Sequence, residues 1–521
     1  MRGLLLIGLE EIEPSRWTSQ FVAEAAGAIL FCRDAADASQ LKDLVQRLQE
    51  VARSAGRPPL LIATDQEGGP VRRLGPLGSA WPAAMALGAV GDVAVTRTVY
   101  YAIGGELADF GINLDFAPVA DLNSNARNPV IGLRSFGDDP AAVAEHVRAA
   151  VVGLHRAGIA ATAKHFPGHG DTAVDSHDAL PSVTRDREQL FAREFVPFRA
   201  AVEAGVDAVM SAHVTVPLAT GDRVPATLSR TMLDDLLRNE LGFEGVICTD
   251  DMEMRAIADA YGPGEAAVRA LQAGADLILF RSLDSAAAAE KVLASAVREG
   301  RLDEAHVEAS LDRIEALRNR PAAAEFIRPR PAAADRQANA ALSREVAQRA
   351  ITIVRSAGGV PPLPSSGVAR IFIVNFTASD APGERPSSSA LVSSALGKAF
   401  AHAGYRVTEQ VRGLEPEGHE YKQLLMAAGS ADAFVAVTRR AFMHPLQAQA
   451  VADLATFGKP IAAVAAREPY DALDLPENVA VIATFGDDES SLEAAAQVLL
   501  GRTRATGQLP VRIEHPVGFH D

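Results

Sequence analysis

At 521 residues the chain is too long for one ordinary core, so two or three domains are expected. Its 48% hydrophobic and 22% charged residues are those of a globular protein, while a formal net charge of -16 excludes the basic face that a phosphate backbone requires. Nucleic acid is not an expected partner, and neither is a membrane, because no apolar run approaches the ~20 residues that span a bilayer.

The opening MRGLLLIGLEEIEPS carries one basic residue and a short apolar run, then turns acidic with no small-residue cleavage site. It reads as a first β-strand and not as an export signal. Cys32 and Cys248 both lie in apolar strand-like runs, and two thiols cannot staple a chain of this size. A reduced, cytoplasmic location is the expectation.

Further along, short apolar runs alternate with longer helical stretches. The strand candidates are 3–9, 27–32, 60–65, 112–119, 159–165, 208–214, 245–250 and 276–280. Segments between them, such as LKDLVQRLQEVARSAG and HVRAAVVGLHRAG, carry helical periodicity. Most of the strands are near-continuous apolar runs, as parallel strands covered by helices should be. The pattern predicts an N-terminal (β/α)8 TIM-like barrel over 1–320. Most candidate strands end in polar or ionisable residues: TDQEGG, APVADLNSN, AKHFPGHG, SAHV, TDDMEM and FRS. One polar strand end is ordinary solvation, but this many converge on the carboxyl face, where such barrels carry their chemistry.

Residues 321–344 begin PAAAEFIRPRPAAAD and read as a linker. Beyond it, ITIV (351–354), RIFIVNF (370–376), AFVAVT (433–438), PIAAVAA (460–466) and VAVIATFG (479–486) resume the alternation. A smaller C-terminal α/β sandwich domain is predicted over 345–521, with strand ends poorer in ionisable groups.

The densest chemistry lies in AKHFPGHGDTAVDSH, residues 163–177. A metal is not expected there: HExxH and CxxC motifs are missing from the chain, and the spacing from His165 to His169 crosses Pro167 and Gly168. Asp175-Ser176-His177 instead sets a carboxylate two residues from an imidazole. Such a neighbour stabilises the imidazolium, the condition for a general acid, although an Asx-turn beside an incidental histidine would look the same. At the seventh strand end, Asp250 or Asp251 could attack an anomeric carbon or cap the following helix, and their alternation leaves only one to face the mouth. Asp65, Lys164, His165, Arg73 and Arg134 could clamp sugar hydroxyls by charge-assisted hydrogen bonds, or serve as ion pairs of the rim.

The runs KHFPGHGDTAVDSH, ATDQEGGPVRRL, NPVIGLRSFG and GVICTDDMEM resemble, in type, order and spacing, the signature of the β-N-acetylglucosaminidases of glycoside hydrolase family 3. That resemblance covers most of residues 1–320. It implies a retaining exo-hydrolase working through a covalent glycosyl-enzyme, with Asp250 as nucleophile, His177 as acid/base and Asp175 as its dyad partner. It further implies that Asp65, Arg73, Arg134, Lys164 and His165 bind the N-acetylglucosamine unit, that no cofactor or metal is needed, and that the partner is a small glycan such as a peptidoglycan-derived muropeptide. The usual spacing of two carboxyls ~5–5.5 Å apart is not expected where the acid is an imidazole on a loop. Phosphorolysis, substrate-assisted hydrolysis, β-glucoside cleavage and a non-catalytic sugar-binding protein stay open as alternatives, and the second domain leaves the aglycone open too.

Overall fold

The computed structural model describes residues 1–9, 13–31, 37–176, 179–320, 335–357, 363, 369–377 and 389–514, with 389–394 in backbone only. They gather into two compact units. The first comprises Met1–Trp81, Val93–Ile131 and Asp139–Asn339, the second Pro82–Asp92, Gly132–Asp138 and the chain from Ala340.

The first unit is a barrel. Its strands are β1 (Leu5–Leu9), β2 (Gly27–Leu30), β3 (Leu61–Thr64), β6 (Leu114–Asp115), β7 (Ala160–Phe166), β8 (Ala208–Ser211), β9 (Val246–Thr249) and β10 (Ile278–Phe280), while β4 (Gln66–Gly68) and β5 (Val71–Arg72) form a small hairpin after β3. Barrel neighbours run β10-β1-β2-β3-β6-β7-β8-β9, each pair parallel. A parallel bridge between Cys248 and Leu277 brings the ends of the sheet together, and the Thr249 amide donates to the Leu277 carbonyl at 2.9 Å. Every expected barrel strand is present. Their residues are buried along their whole length, which is why continuous and not alternating apolar runs encode them.

The covering helices begin and end on local signals. Asp139 caps Pro140–Ala157 by accepting from the Ala142 amide at 2.8 Å, Pro140 holds the first turn, and Gly158 in the left-handed region stops it. Polar residues that precede strands are tied into structure. Asn113 bridges the backbone of Leu60 and Ile62, and Asp276 joins Arg238, Arg313, Ser310 and the Ile247 amide. The amino ends of the strands therefore spend their polar groups on one another, as expected of the face that carries no chemistry.

The second unit is built on strands β11 (Thr352–Arg355), β12 (Arg370–Phe376), β13 (Arg406–Arg412), β14 (Ala433–Thr438), β15 (Ile461–Ala465) and β16 (Ala480–Ala483), in the order β11-β16-β15-β14-β12-β13. All pairs are parallel except β11 with β16. Alternate residues of β12 feed two cores. Ile371 and Ile373 pack with Leu396, Phe400 and Leu492, whereas Phe372, Val374 and Phe376 pack with Leu424, Val451 and Leu454. Helices thus cover both faces, as an α/β sandwich requires.

Three features depart from the sequence reading. Strand β13, RVTEQVR, was not foreseen, because its polar residues are those of an exposed sheet edge. A helix, Arg336–Ala350, occupies the latter part of the stretch read as a linker to 344; it is free of proline and rich in Ala, Arg and Gln, all good helix formers. Residues 321–334 of that stretch, like Cys32, lie outside the described residues. The second unit also takes in 82–92 and 132–138, where Phe136 and Pro510 approach Gly88 so closely that a Cβ would lie 1.8 Å from the Phe136 carbonyl oxygen. Among the described residues no helix is long and apolar enough to cross a membrane.

Candidate active site

At the carboxyl ends of the barrel strands the polar groups are arranged differently from those at the amino ends. Lys164, on β7, has a side chain only 2% exposed, with Nζ at 2.6 Å from Asp65 Oδ1 and 2.6 Å from Glu67 Oε1. A buried ammonium is tolerated only in such company, and removing one partner of a buried pair costs about 3–5 kcal/mol. Asp115, fully buried at the end of β6, accepts from the Gln66 amide at 2.9 Å. Burial pushes its carboxyl far above the usual range, with Asp65 and Glu67 adding to the shift and the Gln66 amide and Lys164 opposing it.

The β4–β5 hairpin returns the chain to this cluster. The Arg73 amide donates to the Asp65 carbonyl at 3.1 Å, and Arg73 Nε stands 4.0 Å from Asp65 Oδ2. The Arg73 guanidinium also lies over the Phe31 ring at 5.9 Å. Asp65, Arg73 and Lys164 are thus brought together, at the positions from which the sequence suggested a clamp.

His165 faces a different carboxylate. Its Nδ1 lies 2.7 Å from Asp121 Oδ2, and Asp121 Oδ1 accepts from the His169 amide at 2.7 Å. Burial would raise the Asp121 pKa, but the His165 and His169 rings and the amide bonds outweigh it and hold the carboxyl below its ordinary value. The contact of Nδ1 with Asp121 fixes the tautomer and the ring orientation of His165.

The loop after β7 is zipped to the loop after β6. Asn128 Nδ2 donates to the carbonyls of His169 and Thr172, both at 2.9 Å, and the Asn125 amide donates to the Gly170 carbonyl. His169, unassigned from sequence, braces the turn from inside: Nδ1 meets Thr172 Oγ1 at 2.8 Å and Nε2 meets Ser176 Oγ at 2.9 Å. The peptides Lys164–His165 and Phe166–Pro167 are cis. Gly168 has φ of +124°, a turn that favours glycine, while at Gly170 a Cβ would lie 1.7 Å from the Leu122 carbonyl oxygen. Gly170 thus permits close approach and not a sharp bend. Asp175 is half-buried at the end of this segment, with its carbonyl accepting from the Ala179 amide at 3.1 Å. His177 lies outside the described residues.

Asp250 and Asp251 divide their labour. Asp250, half-buried directly after β9, is held by its amide to the Ser211 carbonyl at 3.2 Å, and its Oδ1 accepts from the Asp251 amide at 2.8 Å. Asp251 Oδ1 is occupied by the amides of Glu253 at 3.0 Å and Arg281 at 3.2 Å. Burial, with Asp250 and Glu253 adding to it, pushes Asp251 up to about 6 against the pull of those amides. Asp251 is the structural member of the pair. Arg134 ends the 3₁₀ turn Gly132–Arg134, half-buried, in a segment of the second unit.

The raised carboxyl of Asp251 gives a stability test. Because its folded value lies above the ordinary 3.8, the folded chain grips this proton, and ionisation between 3.8 and about 6 costs stability that is not regained at higher pH. Asp251→Asn keeps Oδ1 and cannot ionise. The variant should therefore melt above the parent at about pH 8, with the gain shrinking toward about pH 4.5. A melting difference that does not vary with pH would contradict the assignment.

Glu67, Asp115, Asp121 and Asn128 were not singled out from the sequence. Asp121 was legible only as part of the polar strand end APVADLNSN, where a turn aspartate and a histidine anchor look alike. Among the described residues no group of three or more His, Cys, Asp and Glu is placed to hold a metal ion.

Several known proteins are similar to this chain. A family model for the glycosyl hydrolase family 3 N-terminal domain matches residues 10–317. The chain is 30% identical over 540 residues to a β-hexosaminidase A of Pseudoalteromonas piscicida, a match covering 94% of this chain and 90% of that protein. It is 40% identical over 285 residues to a β-hexosaminidase of Xanthomonas oryzae pv. oryzae, covering 53% of this chain and 83% of the other. Among solved structures it is similar to a glycoside hydrolase family 3 β-N-acetylglucosaminidase from Paenibacillus sp. str. FPU-7, with TM-score 0.91, 37% identity and 98% of each chain covered.

Proposed function

The chain belongs to glycosyl hydrolase family 3 and is a glycoside hydrolase, and from that premise we propose that it releases terminal β-linked N-acetylglucosamine with retention of configuration. The observation that carries the reading is the near full-length likeness to a β-N-acetylglucosaminidase, and the cluster of Asp65, Glu67 and Lys164 at the barrel strand ends supports it. Peptidoglycan-derived muropeptides are the proposed substrates. A reducing, cytoplasmic setting suits the buried free thiol of Cys248.

In this mechanism the Asp250 carboxylate attacks the anomeric carbon as the bond to the aglycone oxygen breaks, and the His177 imidazolium gives that oxygen its proton. Asp175 sustains the imidazolium charge. Water then attacks the glycosyl ester, His177 takes its proton, and Asp250 is released. Lys164, its carboxylate partners and the Asp121-oriented His165 present fixed donors and acceptors to the sugar hydroxyls, joined by Arg73. Preorganisation is what the salt-bridged rim contributes, since its groups need little rearrangement as charge develops on the sugar.

Product analysis tests the reading. Muropeptide, chitobiose and a nitrophenyl N-acetylglucosaminide are supplied with and without phosphate. Free N-acetylglucosamine of β configuration, formed without phosphate, is expected. Sugar 1-phosphate formed only when phosphate is present would replace hydrolysis by phosphorolysis, and an α product would remove the retaining step.

A further inference from the structure

A fully buried histidine that no step above uses stands behind Asp250. His213 lies two residues past β8 and is 0% exposed. Its Nε2 is 3.0 Å from the Asp251 carbonyl oxygen, and its Nδ1 is 2.8 Å from Thr227 Oγ1. A carbonyl can only accept, so Nε2 carries the hydrogen. The Thr227 hydroxyl takes a hydrogen from Ser211 Oγ at 3.0 Å and is shared between His213 and the Ala212 carbonyl, also at 3.0 Å. Ser211, Thr227 and His213 are all without exposed surface.

These contacts converge on the Asp250–Asp251 dipeptide. On its amino side, the Asp250 amide is fixed to the carbonyl of Ser211, the residue whose side chain starts the hydroxyl relay. On its carboxyl side, the Asp251 carbonyl is fixed to His213. Between them, the Asp251 amide points at Asp250 Oδ1 from 2.8 Å and orients the carboxylate. That amide can hold its direction only while both flanking peptides are held.

We propose that His213 is a positioning residue for the Asp250 carboxylate, a role that rests on Asp250 being the nucleophile. Its imidazole offers nothing to the sugar, since both ring nitrogens are engaged and the ring is buried. Its effect is on attack geometry, where a displacement of ~1 Å is enough to cost ~10²-fold in rate. The plainer role would be that of a core histidine that glues two loops and affects only stability.

The two roles separate with His213→Gln and His213→Asn. A glutamine amide nitrogen reaches the place of Nε2 and can still donate to the Asp251 carbonyl, whereas asparagine reaches only the place of Nδ1. Turnover of a nitrophenyl N-acetylglucosaminide, inhibition by free N-acetylglucosamine, and covalent labelling by a fluorinated glycosyl inactivator are measured on each, with the labelled residue located by mass spectrometry. Parent enzyme labelled at Asp250 is expected. For His213→Asn, kcat and the labelling rate constant should fall ~10²-fold while KM and product inhibition stay within about threefold; His213→Gln should retain within about tenfold of parent kcat. Equal losses in Gln and Asn, a loss confined to KM, labelling at the parent rate, or failure of both variants to fold would each overturn the proposal while leaving Asp250 as nucleophile. Labelling of the parent at another residue would overturn the reading of Asp250 itself, and this proposal with it.

Discussion

Asp250→Ala is expected to remove turnover on every substrate, by roughly 10⁴-fold or more, without unfolding the barrel. The two halves of that result have separate causes. Chemistry is lost because the carboxylate that would carry the glycosyl group is gone, and Asp251, tied to the amides of Glu253 and Arg281, is not free to replace it. Folding is kept because relief of the repulsion that Asp250 exerts on Asp251 and Cys248 offsets loss of the acceptor for the Asp251 amide. The alanine variant should therefore melt close to the parent. Turnover with matched thermal melts checks this, and substantial residual activity would move the nucleophile elsewhere.

His177→Ala is expected to divide substrates by their leaving groups. A sugar or peptide-sugar alkoxide needs a proton as it departs, so kcat/KM on chitobiose or muropeptide should fall ~10²–10⁴-fold, the range a general acid supplies. A nitrophenolate leaves without help, and its loss should stay within about tenfold. Equal losses on both substrate types would show that His177 holds structure or sugar and is not the proton donor.

The barrel was readable because its strands are buried on both sides. LLIGL, GAIL and VICT have no polar alternation to confuse them with surface strands, and caps such as Asp139 with Pro140 and Gly158 mark where helices start and stop. Edge strand β13 was not readable for the opposite reason, since half of RVTEQVR is solvated. In the site, motif positions such as Lys164 and Asp65 could be named, but not the fact that a single ammonium is shared by Asp65 and Glu67. Pairing is a property of strands brought together from distant sequence. Asp121 is the sharpest case: it lies 44 positions from the histidine it orients, and nothing local to APVADLNSN points there. Gly170 shows the same limit, because its close neighbour is the Leu122 carbonyl and not a residue of its own turn.

The stitching of the loop after β7 onto the loop after β6 has an evolutionary consequence. One carboxylate, Asp121, anchors both the side chain of His165 and the backbone of His169, whose ring in turn grips Ser176. If His165 meets the sugar as proposed, sugar preference and the shape of the loop that leads to Asp175 are inherited as one part. A lineage, or a designer, that rebuilds residues 120–128 disturbs the loop after β7 at the same stroke, so new specificities in this scaffold should arise more readily from the hairpin that carries Arg73.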